Sequence, residues 1–209
     1  MRVLIVDDHA IVRRGSRELL AEAFPEAEFE DAETGEDAIG MVERVTLDLV
    51  ILDISMPRRG GMDALKEIAA RKPELPVLVL SHHAEEQYAI RALRAGARGY
   101  VTKSSAPEEL IRAAQKVLDG GKYVSPALAE RLADSLSSDP SKPLHEALSD
   151  RELQVLCMLA TGKAVKEIAE ELSLSEKTVS TYRTRILAKM KMNTNAELMR
   201  YALRVGLVE

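Results

Sequence analysis

Over its first 120 residues the chain alternates short strand-like runs with helical stretches five times, and few folds accommodate that repeat. The runs RVLIV (2–6), AEFEDA (27–32), LDLVIL (47–52), PVLVL (76–80) and GYV (99–101) are short and apolar or β-rich. Between them, the stretches 11–22, 35–45, 61–71, 84–95 and 107–118 carry apolar residues every three to four positions, the period of a helix. Gly35, Gly60, Gly61, Gly96 and the pair Gly120 and Gly121 punctuate their ends. Such a pattern predicts an α/β fold, a doubly wound five-stranded parallel sheet with right-handed crossovers and helices on both faces.

In an open parallel sheet the C-terminal ends of the strands line one crevice. Asp7 and Asp8 follow the first run, Asp53 the third and Ser81 the fourth, and Lys103 lies just past the fifth, so these side chains are expected to converge. Three clustered carboxylates repel one another unless a cation neutralises them. Magnesium is the natural choice: it is a hard ion that prefers oxygen ligands and is commonly held by one or two carboxylates together with phosphate oxygens. A carboxylate beside such a metal, with a lysine and a hydroxyl at hand, can attack a phosphoryl group and carry it as an acyl phosphate. Asp53 is the candidate carrier.

No apolar run approaches the roughly 18 to 20 residues of a membrane span. The N-terminus opens on a strand pattern without a charged-then-apolar leader, so a cytoplasmic protein with no membrane partner is expected. One cysteine, Cys157, excludes an internal disulfide framework, and its apolar surroundings LQVLCMLA predict core packing. His9, His82, His83 and His145 show no ligand spacing and read as loop or pocket-rim residues. The net charge of −5 hides an asymmetry. Residues 1–120 carry 16 basic and 22 acidic side chains, whereas 146–209 carry 10 and 9. Within 177–191, Lys177, Arg183, Arg185, Lys189 and Lys191 occur with no acid, which suits either a polyanion partner or a solvated face.

The strand pattern stops near 120, giving a first domain over 1–120. The stretch 121–147 reads as a linker, with one short amphipathic helix (SPALAERLADSL) and a polar tether (SSDPSKP). Residues 148–209 read as an all-α domain of four short helices. Ser149 with Glu152 forms a capping box that opens the first, which stops at Gly162. KEIAEEL, the turn SLS and EKTVSTYRTRILAKM, capped by Ser175, have the spacing of a helix-turn-helix. In the long helix Val179, Tyr182, Ile186 and Met190 form the stripe to be buried. The other face presents Lys177, Thr178, Ser180, Thr181, Thr184, Arg185 and Lys189. Hydroxyls flanked by cations suit a helix that enters the major groove of double-stranded promoter DNA, with Ser180, Thr181 and Thr184 on base edges and Lys177, Arg185 and Lys189 on phosphates.

At these residues a family resemblance becomes specific. VDDH, LDISMP, the Leu80-Ser81 pair and the lysine of GYVTK resemble the receiver domain of bacterial response regulators, of flavodoxin/CheY-like fold. LSDRELQVLCMLATGKAVKEIAEELSLSEKTVSTYRTRILAKM resembles the LuxR-type helix-turn-helix of the NarL/FixJ subfamily. The resemblance implies a transcription regulator rather than an enzyme, with a sensor histidine kinase as donor and Asp53 as phosphoacceptor. By the same resemblance Asp8, Asp53 and the Ser55 carbonyl bind Mg2+ directly, and Asp7 reaches it through water. It further implies that Ser81 and Lys103 bind phosphoryl oxygens, that Tyr100 is a switch aromatic turning inward, and that activation yields a homodimer, with RNA polymerase as a further partner.

The chain also departs from the family. Ser104 follows Lys103 where a proline is frequent, Arg58 and Arg59 stand near the acceptor, and Ala164 and Val165 replace a hydroxyl cap ahead of KEIAEEL, predicting a less defined helix start there. An aspartate-based phosphatase or phosphotransferase is the competing reading. Such enzymes usually place a second acid two residues beyond the nucleophile, and that position is Ser55. A third reading, an adaptor with a vestigial helix-turn-helix, differs in its lack of salt-dependent, sequence-specific duplex binding.

Overall fold

The computed structural model describes residues 1–56, 60–82, 85–130 and 143–208. The chain divides into two compact units, Met1–Ser137 and Ser138–Glu209.

The first unit is a five-stranded parallel sheet in the order β2-β1-β3-β4-β5, built from β1 (Arg2–Val6), β2 (Glu28–Ala32), β3 (Leu49–Leu52), β4 (Val77–Ser81) and β5 (Gly99–Thr102). Four helices join successive strands, α1 (Ala10–Ala23), α2 (Gly35–Arg44), α3 (Gly61–Arg71) and α4 (Glu85–Arg94), and α5 (Pro107–Leu118) follows β5. The central strands β3 and β4 are buried along their whole length, as strands covered on both faces must be, and their sequences LVIL and VLVLS are correspondingly apolar. Edge strand β2 (EFEDA) is only partly buried and carries the charges. Alternate residues of a strand point to opposite faces. Val3, Ile5, Leu49, Ile51, Leu78, Leu80 and Val101 therefore form one core cluster, closed by Leu20 of α1 and Leu110, Ala113, Ala114 and Val117 of α5. Burying each Leu, Ile or Val of this kind stabilises the unit by about 1.5 to 3 kcal/mol.

The unit does not end at 120. The Tyr123 amide donates to the Arg98 carbonyl at 2.8 Å, its hydroxyl to Glu109 at 3.0 Å, and Leu128, within a helical stretch at 126–130, is 2% exposed. Tyr123 thus ties the start of the expected linker to β5 and α5. The rest of that linker, 131–142, lies outside the described residues.

In the second unit a 3-10 turn (Leu144–Ala147) precedes α6 (Asp150–Ala160), α7 (Val165–Glu171), α8 (Glu176–Met190) and α9 (Asn195–Arg204). Both halves of the α6 capping box form: the Ser149 hydroxyl accepts from the Glu152 amide at 3.3 Å, and Glu152 accepts from the Ser149 amide at 2.8 Å. Every residue of α6 from Glu152 to Ala160 is buried, Cys157 among them, because α8 and α9 both pack against this helix. Gly162 adopts φ 86°, which ends it. Ala164 provides no side-chain cap to α7, but Glu167 reaches back to accept from its amide at 2.6 Å. The α7 start is therefore better defined than its sequence predicts. Ser173 turns the chain toward α8 with φ 54°.

Candidate functional site

The strand ends of the first unit bring Asp7, Asp53, Ser81 and Lys103 together. Asp53 is 1% exposed and Asp7 2%, while Asp8 stays at the surface. The Lys103 ammonium, almost wholly buried, lies 2.7 Å from Asp53 Oδ2 and 2.5 Å from Asp7 Oδ2. Its main chain is set by a hydrogen bond from its amide to the Ser81 carbonyl at 2.7 Å. Asp53 Oδ1 accepts from the Ser55 amide at 2.7 Å, and the Ser55 and Ser81 hydroxyls share a hydrogen bond at 3.0 Å. Tyr100 is fully buried, so its ring already lies inward.

One oxygen or nitrogen from each of Asp7, Asp8, His9 and Asp53 falls within 4.8 Å of the others. The donor set is three carboxylates against one ammonium, an oxygen-rich and net-negative pocket that suits a hard divalent cation. Magnesium thus fits the residues present.

Three participants escape a reading by motif. His9, exposed at the pocket rim as expected, also touches the acids: its Nδ1 is 2.9 Å from Asp8 Oδ1 and its amide donates to Asp7 Oδ1 at 2.9 Å. Arg13, 9% exposed, donates from its guanidinium to the Asp7 carbonyl at 2.7 Å and to Glu33 at 2.5 Å, bracing the loop that carries the acids. Gly61 opens α3 directly against Asp53; a Cβ there would stand 2.0 Å from the Asp53 carbonyl oxygen. Glycine ahead of a helix signals a boundary in the sequence, but close approach is a tertiary fact. Arg58, Arg59 and His83 lie outside the described residues.

In the second unit, α8 buries Val179, Ile186 and Met190 and half-buries Tyr182. Lys177, Ser180, Thr181, Thr184, Arg185 and Lys189 are exposed, and Thr178 is half-buried at the cap. The Thr181 and Thr184 hydroxyls donate to the carbonyls of Lys177 and Ser180, at 2.9 and 3.1 Å, leaving their oxygens able to accept. Two cations of the basic run are engaged within the unit. Arg183 donates to Asn195 at 2.7 Å, and the Lys189 ammonium lies 2.6 Å from the buried carboxylate of Glu152. Burial works to raise the Glu152 carboxyl, but Lys189 and the amide and hydroxyl of Ser149 outweigh it and hold it below the usual carboxylate range. His145, expected in a solvated position, is half-buried with its Nδ1 2.9 Å from the Tyr201 hydroxyl.

Comparison with known proteins assigns both units. The family described as the response regulator receiver domain matches residues 3–115, and the luxR family of bacterial regulatory proteins matches 146–202. The chain belongs to the NarL/FixJ-type response regulators. The response regulator UvrY of Escherichia coli K12 is 36% identical to it over 99% of this chain and 95% of its own length. GacA of Pseudomonas aeruginosa is 35% identical, with 100% and 98% covered. Among solved structures, the response regulator RcsB in complex with DNA superposes with a TM-score of 0.59 at 27% identity, covering 97% of this chain and 98% of that one. The regulator is therefore a receiver joined to a LuxR-type DNA-binding domain, a transcription regulator by family. No helix among the described residues is long and apolar enough to cross a membrane.

Proposed function

We propose that the regulator is switched by phosphorylation of Asp53 and that the switch controls promoter binding by α8. The observation that carries this reading is the pairing of buried Asp53 with Lys103, beside two further acids. A phosphohistidine of a sensor histidine kinase is the donor: an Asp53 oxygen bonds to phosphorus as the P–N bond breaks, and the imidazole leaves with a proton. Asp8, Asp53 and the Ser55 carbonyl would hold magnesium, with Asp7 reaching it through water, and the ion would supply charge neutralisation for the phosphoryl oxygens. Lys103 and Ser81 bind those oxygens. For Ser81 this requires its hydroxyl to exchange Ser55 for the phosphoryl group, and that exchange is the differential contact that biases Tyr100 and the surface beyond it. On DNA, Lys177 and Arg185 grip phosphates while Ser180, Thr181 and Thr184 face base edges, with Thr178 at the helix entrance. The bound species is a homodimer acting in the cytoplasm, with RNA polymerase as a further partner.

Labelling with acetyl phosphate, with and without a chelator, tests the reading. Wild type becomes phosphorylated only with magnesium, and Asp53→Asn does not. Undiminished labelling of Asp53→Asn, or of wild type in excess chelator, removes the premise.

A further inference from the structure

The edge of the sheet remote from Asp53 carries a cleft of its own. We propose that it binds a small amphiphilic monocarboxylate, whose carboxylate pairs with Arg98 and whose apolar body lies against the loops that lead into the strands.

In a parallel sheet all strands start at one edge, so the residues just before them gather there as the acids gather at the other. Asp48 precedes β3, Pro76 precedes β4 and Arg98 precedes β5. With the ends of α2 and α5 and the loops after α2 and α3, they line a cleft of about 860 Å3, a size that holds small organic ligands. Its walls are largely aliphatic. Val42 and Val117 are buried and Leu47, Leu75 and Leu118 half-buried, which leaves apolar surface for a ligand to cover.

The polar lining sets the charge of that ligand. Arg71 is paired with Glu43, whereas Arg44, Lys72 and Arg98 form no ion pair among the described residues and face only Asp48 and Glu74. The cleft therefore holds one cation in excess, which a single carboxylate neutralises. Of the three, Arg98 is half-buried while Arg44 and Lys72 are exposed. A guanidinium that loses hydration without a counter-charge is destabilised, and a carboxylate that accepts two of its N–H groups restores what was lost. Its mount is fixed at both sides: the Arg98 amide donates to the Val77 carbonyl at 2.8 Å, and its carbonyl accepts from the Tyr123 amide at 2.8 Å. An inorganic anion would satisfy Arg98 but leave the aliphatic walls wet, so the ligand carries an apolar body.

Sodium octanoate and octanol, one apolar chain with and without a carboxylate, test the site by calorimetric titration of the full-length protein. Wild type should bind octanoate at one site, at least about tenfold more tightly than octanol. Arg98→Gln, checked for folding by circular dichroism, should lose about that factor for octanoate and nothing for octanol. Amide spectra of isotope-labelled wild type locate the ligand without any variant: the signals of Thr46, Leu75 and Arg98 should shift on addition of octanoate. Absence of saturable octanoate binding, equal octanoate affinity in wild type and Arg98→Gln, or shifts confined to the acidic site or to the second unit overturns the proposal.

Discussion

Two glycines at helical positions show how a residue's meaning depends on its neighbours. Gly15 lies inside α1 with nothing within 4 Å of the place a Cβ would take. Glycine inside a helix sacrifices backbone entropy relative to alanine, so Gly15→Ala should stabilise the first unit by about 0.5 to 1 kcal/mol. Gly61 gains the same helix propensity on substitution, but its Cβ would sit 2.0 Å from the Asp53 carbonyl oxygen and 2.5 Å from the Ile54 Cα. Both obstacles are backbone and cannot rotate away. Gly61→Ala should cost about 1 to 3 kcal/mol net and displace Asp53, lowering its rate of labelling by acetyl phosphate. Thermal unfolding of the two variants side by side checks the opposite signs. A Gly61→Ala protein of wild-type stability and labelling rate would show that α3 does not hold the acceptor in place. Only the fold separates the two glycines.

At the scale of elements, local signals were legible and long-range pairings were not. The α5 pattern, Pro107 at its first position and an apolar stripe after it, gave the observed Pro107–Leu118 limits, and α3 likewise spans the expected 61–71. Strand ends placed Asp7, Asp53, Ser81 and Lys103 at one crevice because parallel topology alone requires it. Glu152, by contrast, was legible only as half of a capping box, a partnership three residues long. Its second partner, Lys189, is 37 residues away, and the spacing of charges along α8 does not reveal it. That pairing gives the cations of α8 different work. Lys177→Ala should lower the slope of log affinity for DNA against log salt by about one while leaving folding intact. Lys189→Ala should instead loosen α6 and α8, read as faster amide hydrogen exchange in both, because it leaves a buried carboxylate without its counter-charge. The pH dependence has a defined sign. A carboxyl held low in the folded state contributes stability above its unfolded value, near 4.5, and that contribution is lost as the pH falls through the lower folded value. Exchange in α6 and α8 should therefore accelerate below about pH 4.5 more steeply in wild type than in Glu152→Gln. Equal pH profiles would show that the Glu152 carboxylate does not support the unit.

For the whole molecule, the question is how a short recognition helix obtains enough contact with DNA to act, and the proposed homodimer offers a physical answer. The final helix, within 194–205, offers Leu198, Tyr201, Ala202 and Val205 to divide between core and partner. Leu198, Tyr201 and Ala202 are buried within the unit, and Tyr201 is further tied to His145. The apolar surface that remains on the last turns of α9 and just beyond is Leu203, 51% exposed, with Val205 at 36%. If these two residues meet their symmetry mates, the two α8 helices read half-sites about one helical turn apart, and losing the contact halves the footprint. Leu203→Glu is the decisive variant, since an exposed position tolerates a charge without unfolding whereas an apolar dimer contact does not. After activation with a beryllium fluoride mimic, wild type should sediment as a dimer on promoter DNA and protect two half-sites. Leu203→Glu should remain folded, bind at least about tenfold more weakly because one half-site is lost, and protect a single half-site. Dimers and a full footprint in Leu203→Glu would assign α9 to completing the core of its own unit and move the dimer contact elsewhere.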